Sequence, residues 1–221
     1  MQRLSGNYRP WQTGCLAFFG LVFILGGAAA LIIPVIAGDI VSFEGGQVRF
    51  DSDAGIPILA TVVCVGLPLG GVGLLMIGAA VRTMLARARV APPEVAVSTS
   101  TPRVGEVFTL NYQQTYRVST QVQLIRMSLI LRESATYQRG TDSVTVTHDH
   151  FVQTYDLPER QMSAGETFQD RRQFQIPPLG MHSFAANRNK LNWFLKVTVQ
   201  IPGWPDYEEE FSLTVPPEIV R

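Results

Sequence analysis

Residues 15–37 read CLAFFGLVFILGGAAALIIPVIA, without a single charged side chain. At a rise of about 1.5 Å per residue, such a run matches a hydrocarbon core about 30 Å thick, whereas a soluble fold would have to cover it on every side. A second uncharged run, AGIPILATVVCVGLPLGGVGLLMIGAAV at 54–81, is long enough to do the same. The two runs are joined by a short acidic loop. The reading is therefore a transmembrane hairpin, with spans at 14–38 and 54–82 and a loop at 39–53.

The flanks orient the hairpin. Arg3 and Arg9 precede the first run, Arg82, Arg87 and Arg89 follow the second, and the loop holds four acids against the single Arg49. Basic flanks stay cytoplasmic, which predicts a cytoplasmic N-terminus (1–13), an extracytoplasmic loop and a cytoplasmic C-terminal half in a multi-pass inner (plasma) membrane protein. A cleaved signal peptide over residues 1–30, ending at Ala28, Ala29 and Ala30, is the rival reading. It is disfavoured because the apolar run continues from Leu31 to Ala37. It would also leave the second span entering from outside, with the C-terminal half still cytoplasmic.

The runs at 15–37 and 54–81 hold no acid, base or His, which removes the groups a proton relay or ion pathway normally uses. They are rich in glycine instead. Gly66 and Gly70 stand four apart and Gly73 continues their face, the spacing that lets two backbones approach closely in lipid. These three are the helix-packing candidates, used between the two spans or, alternatively, in a homo-oligomeric seam. Pro34, Pro57 and Pro68 are candidate kinks or caps. Cys15 and Cys64 fall at different depths of an antiparallel hairpin, about 20 Å apart, too far for a disulfide. No CxxC or zinc-ribbon spacing occurs.

The whole-chain totals conceal this division. Of 221 residues, 46% are hydrophobic and 16% charged, with 18 basic and 18 acidic groups, yet 26 of those 36 charges lie from Pro92 onward. That half carries 12 basic and 14 acidic groups, so it presents no net positive field to nucleic acid. After a juxtamembrane linker at 83–93, containing Pro92 and Pro93, the texture changes. Leu191, Trp193, Leu195, Val197, Val199 and Ile201 occupy every second position, the period of a strand with one buried face. Shorter alternations surround Phe108, Val144, Phe174 and Phe211. Between Leu124 and Met127 the apolar phase slips by one, which predicts a bulge or a strand that changes sheet. Turn chemistry falls at 102–105, 139–142, 164–166, 177–180 and 202–206. About seven strands so punctuated predict an antiparallel, immunoglobulin-like β-sandwich over 94–218, built on one core.

The order of features after Leu157 carries a family resemblance. A Ser-Ala-Gly turn at Ser163, Ala164 and Gly165 is followed by a strand ending at Pro177 and Pro178, then Ser183 and Phe184. Next come the Asn192–Trp193 step, the Pro-Gly-Trp-Pro-Asp turn at 202–206 and a last strand into Pro216 and Pro217. This series resembles an arrestin-type β-sandwich, as in small bacterial membrane proteins that place such a domain after a helical hairpin. The resemblance implies a fold over about residues 92–218 and no particular activity. Arrestins proper use two tandem sandwiches and a trafficking tail. This chain has the length for one sandwich, so receptor binding of the eukaryotic type is not carried over.

Residues of catalytic type form no recognisable constellation. His148 and His150 lie on one face of a strand with Asp149 on the other, but a zinc site needs a third ligand and His182 has no reason to lie nearby. No GxSxG, HExxH, P-loop or paired-glycine fingerprint is present. The expectation is a non-enzyme without cofactor or metal. The acidic run Glu208, Glu209 and Glu210 reads as edge protection or as an interaction patch. Trp193 reads as core. Trp204, between Pro202 and Pro205, is a cover for the end of the sandwich or an anchor for a partner, and Trp11 an interfacial anchor. Trp204, Glu208, Glu209 and Glu210 are the partner-binding candidates. The sequence thus predicts a membrane-anchored β-sandwich that tethers an unidentified protein partner at the lipid surface, or alternatively an accessory subunit acting through its Gly-rich helices.

Overall fold

The computed structural model describes residues 1–36, 41–44, 47–50 and 62–217. Residues 37–40, 45–46 and 51–61, which include parts of both expected spans, Pro57 and much of the expected loop, lie outside the described residues, as do residues 218–221. The chain divides into two compact units, one of Met1–Tyr8 with Leu85–Arg221 and the other of Arg9–Met84.

A short strand, β1 (Gln2–Leu4), opens the chain and is followed by α1 (Pro10–Ile36), β2 (Val41–Glu44) and β3 (Gln47–Phe50). A π-helical turn (Val62–Gly66) then leads into α2 (Leu67–Ala88). Everything after α2 is strand: β4 (Glu94–Val97), β5 (Val107–Thr115), β6 (Thr120–Val122), β7 (Leu124–Arg139), β8 (Asp142–Leu157) and β9 (Arg160–Met162). The series ends with β10 (Thr167–Gln175), β11 (Phe184–Ala185), β12 (Asn189–Gln200) and β13 (Tyr207–Leu213).

The stretches Pro10–Ala30 and Val63–Ala88 are long and apolar enough to cross a membrane. Their apolar side chains point outward: Phe18 is 62% exposed, Leu74 66% and Leu75 76%. A soluble core helix would have these covered. α1 begins at Pro10, four residues before the expected span, because proline suits a first helical position, where its missing N–H costs nothing. Pro68 cannot donate to the carbonyl of Cys64, and the turn just before it is the π-helical one. α2 continues past residue 82 to Ala88, since Arg82, Met84, Leu85 and Arg87 are good helix formers whatever their hydropathy. It stops where Val90 forms an isolated bridge with Tyr116. The supposed linker at 83–93 is thus the end of a helix followed by a segment bound into the β-unit.

The β-unit is built from antiparallel ladders. One sheet has the order β1-β4-β5-β10, and the other runs from β8 through β7 to β12, whose far side pairs with both β11 and β13. One buried cluster draws on both sheets, with Val95, Leu110, Tyr112 and Phe174 from the first and Met127, Leu129, Trp193 and Val197 from the second. Alternation in the sequence fixes which side chains face inward: Phe108, Leu110 and Tyr112 on β5, and Trp193, Leu195, Val197 and Val199 on β12, are all buried. The phase slip near Leu124 is a change of partner. β6 pairs with β9, and the chain then enters β7, which pairs with β8 and β12. A register irregularity lies further along, where Leu129 pairs with Gln153 but Ile130 with Phe151, leaving Val152 as the extra residue. β7 and β8 are joined through Gly140 and Thr141, with Gly140 at φ 65°, the positive value that a two-residue hairpin turn requires.

Candidate interaction site

β13 separates the three acids by its period of two. Tyr207, Glu209, Phe211 and Leu213 turn inward, while Glu208 faces solvent and Glu210 is half-buried on the outer face. Glu208 lies 2.9 Å from the Lys196 ammonium. Glu210 accepts two hydrogen bonds from the Arg132 guanidinium, each 2.8 Å. Glu209 is only 6% exposed and lies in the β-unit with a full set of donors. Its Oε1 accepts the Tyr8 N–H at 3.0 Å, and its Oε2 accepts Arg87 Nη2 at 2.7 Å and the Tyr207 hydroxyl at 2.9 Å. A carboxylate can be buried only when its lone pairs are met in this way. The run is therefore three differently paired residues, and Glu209 has no free face to offer a partner.

Arg87 stands in the last turn of α2, where a cation also suits the helix dipole. Its guanidinium lies 3.4 Å from the centre of the Tyr8 ring and 4.8 Å from that of Tyr207. Arg89 covers the Trp204 ring at 4.1 Å, and Trp204 is half-buried against the core. Just after them the backbone is held by hydrogen bonds: Ala91 N–H donates to the Thr115 carbonyl, and the Ala91 carbonyl accepts from Gln114 Nε2, both at 2.9 Å. Gln114 is itself buried and accepts the Tyr112 hydroxyl. Burial pushes the phenols of this seam up: Tyr116 to about 12, with the Arg160 charge opposing, and Tyr112 and Tyr207 in the same direction, Tyr207 also through the Glu209 charge.

Arg132 joins three strands on the outer face, donating to Asp149 on β8 at 2.6 and 2.8 Å as well as to Glu210 on β13, and lying 4.8 Å over Phe194 on β12. This explains why Phe194, on the nominally wetter face of its strand, is buried. The bidentate bonds from Arg132 hold the Asp149 carboxyl below the usual aspartate range, and those from Arg126 do the same to Asp156.

The rings of His148 and His150 meet edge to face at 4.4 Å, and His150 Nε2 is 3.9 Å from a Glu133 carboxylate oxygen. Among the described residues, no group of three or more His, Cys, Asp or Glu side chains is placed to hold a metal ion. Cys15 and Cys64 are both free thiols.

In the helical unit, α1 and α2 meet through glycine. A Cβ added at Gly73 would lie 2.7 Å from the Gly20 carbonyl oxygen, and one at Gly27 would lie 2.9 Å from the Gly66 oxygen and 3.0 Å from the Gly70 nitrogen. Gly73 thus faces α1, with Gly20 as its counterpart, and the backbone of Gly66 and Gly70 lies against Gly27, although a Cβ added at Gly70 itself would meet nothing within 4 Å. Residues that the run of acids did not reveal include Gly6, Tyr8 and Arg87. The available signal was the inward phase of Glu209, which demands a buried cation from somewhere in the chain.

No protein-family model matches the chain, and no curated protein matches it. Among solved structures it is similar to Spo0M, a sporulation control protein from Bacillus subtilis, with a TM-score of 0.46 and 11% identity over 59% of this chain. The chain spans about half the length of that protein, 51%.

Proposed function

We propose that the chain is a non-catalytic membrane protein whose two helices anchor an arrestin-like β-domain and tether a protein partner at the inner membrane. The observation that carries this reading is the outward display of apolar side chains on two helices long and apolar enough to cross a membrane. In water, Leu74, Leu75 and Phe18 would be a large uncovered apolar surface, whereas in lipid they are solvated. The chain leaves the β-unit after Tyr8 and re-enters it at Leu85, which supports an even number of crossings, and the basic flanks Arg3, Arg9, Arg82, Arg87 and Arg89 favour the cytoplasmic side for both ends. Confinement near the bilayer raises the effective concentration of the domain toward membrane partners. The outward groups available to such a partner are Glu208 and the exposed part of Trp204. Photo-crosslinking from those positions in native membranes, read by mass spectrometry, tests the reading. A single recurrent protein partner is expected, and a clean negative from both positions overturns it.

A second reading, an accessory subunit that works through its helices, draws on a separate observation. A Cβ added at Gly26, Gly71 or Gly78 would meet nothing within 4 Å, so part of the small-residue surface is not used between α1 and α2. Removing residues 94–218 separates the two readings. The partner is lost under tethering and still co-purifies with the hairpin under the subunit reading.

A further inference from the structure

The first eight residues are bound to both sheets of the β-unit. Gln2, Arg3 and Leu4 pair with Val97, Ala96 and Val95, extending the first sheet beyond β4, and Gln2 Oε1 accepts the Ser100 N–H at 2.9 Å. Past Leu4 the segment crosses to the other sheet. Gly6 bridges Phe211, the Asn7 N–H donates to the Glu210 carbonyl at 3.0 Å, and the Tyr8 N–H donates to Glu209 Oε1. The edge of β4, and that of β13 around Glu210 and Phe211, which would otherwise present unpaired backbone groups, are thus occupied in cis by one short segment.

The grip is local and has one buried polar tie. Three ladder positions and one bridge hold the strand, with Leu4 as its contribution to the core, while the Arg3–Glu94 ion pair at 3.1 Å and the hydrogen bond from Asn111 Nδ2 to the Met1 sulfur are solvent-exposed and add little. Elements with so few buried apolar contacts lie at the low end of local stability. Glu209 adds the tie: one of its oxygens holds Tyr8, the last residue before the chain leaves for α1, and the other holds Arg87 in the last turn of α2. Gly6 fits only because it has no side chain, since a Cβ there would clash directly with Glu209 Oε1.

We propose that Met1–Tyr8 is a releasable clasp, locked by Glu209, that closes the β4 and β13 edges against strand addition by an extended peptide. When the lock opens, the vacated edges offer backbone donors and acceptors with an apolar slot at the position of Leu4, the requirements for β-augmentation. The clasp goes beyond tethering, and its test does not depend on any partner.

The test uses the full chain in nanodiscs with Cys15 and Cys64 changed to Ala and the facing pair Arg3→Cys and Ala96→Cys introduced. Oxidation is expected to close that disulfide nearly completely in the otherwise native chain and several-fold less in Glu209→Gln. Gly6→Val, which dislodges the same carboxylate without removing its charge, is expected to act likewise and stands in if Glu209→Gln does not fold. A labelled peptide MQRLSGNY serves as the strand probe, with at least tenfold tighter binding expected to a chain lacking residues 2–7 than to the intact one. Failure of the disulfide to form in the native background, equal closure in the variants, or equal peptide binding would each overturn the clasp. Partner crosslinking would be untouched by any of these, so the two readings fail separately.

Discussion

At the scale of single residues the energetics centre on Glu209. Truncating one partner of a buried ion pair leaves the other charge without compensation, so Glu209→Ala is expected to lower stability by about 3 kcal/mol. The double change Arg87→Met with Glu209→Leu is expected to lower it by less, because no orphan charge remains. Denaturant unfolding of the full chain in detergent, followed by tryptophan fluorescence, checks both, and additive losses would deny the coupling. The titratable groups set the pH limits. The folded carboxyls of Asp149 and Asp156 are held below their unfolded value of about 3.9, so their contribution is present above that pH and is lost as pH falls through the folded values. Arg132→Leu should therefore flatten the acid limb of a stability–pH curve. Tyr116 has the opposite sense: its value is raised from about 10 to about 12, so its contribution is present below pH 10 and fades as pH climbs between the two. Tyr116→Phe is expected to remove this part of the alkaline limb of the stability–pH curve. Glu209's inward phase was legible from Tyr207 and Phe211 on either side. Its partner was not, because Arg87 lies 122 positions away and no local pattern links them.

At the scale of elements, two adjacent glycines of α1 make opposite predictions. Gly27 faces backbone atoms that cannot yield, whereas Gly26 has nothing within 4 Å. Gly27→Leu is expected to force α1 and α2 apart and to lower the melting temperature of the detergent-solubilised chain by several degrees, while Gly26→Leu leaves it unchanged; equal effects would contradict the geometry. On β12, Trp193 is 1% exposed and donates its Nε1–H to the Met181 carbonyl at 2.8 Å. Trp193→Ala is expected to cost about 3–5 kcal/mol through cavity and transfer terms together, measured by the same unfolding assay. The strand itself was legible, since an alternation sustained from Leu191 to Ile201 admits one register toward the core. The end of α2 was not. Hydropathy falls at Arg82, but helix propensity does not, and the helix is stopped at Ala88 by the capture of Val90 in the β-unit.

At the scale of the whole molecule, the clasp strand and the resumption of the β-unit at Leu85 make one prediction together. Tags placed before Met1 and after Arg221 are expected to be accessible from the same side of the membrane, and protease protection in vesicles of known orientation checks it. The amino-acid sequence by itself determined the two apolar helices and the existence of a β-domain with its inward-facing residues. Both depend on patterns that repeat within a few residues, and burial in lipid or in a core acts on those patterns directly. Only the tertiary structure decided that Met1–Tyr8 belongs to the β-domain, that Arg87 and Arg89 fasten the end of α2 to it, and that the three acids of β13 have three different partners. Those contacts join segments from opposite ends of the chain, and a pairing between distant strands leaves no periodic trace in either one.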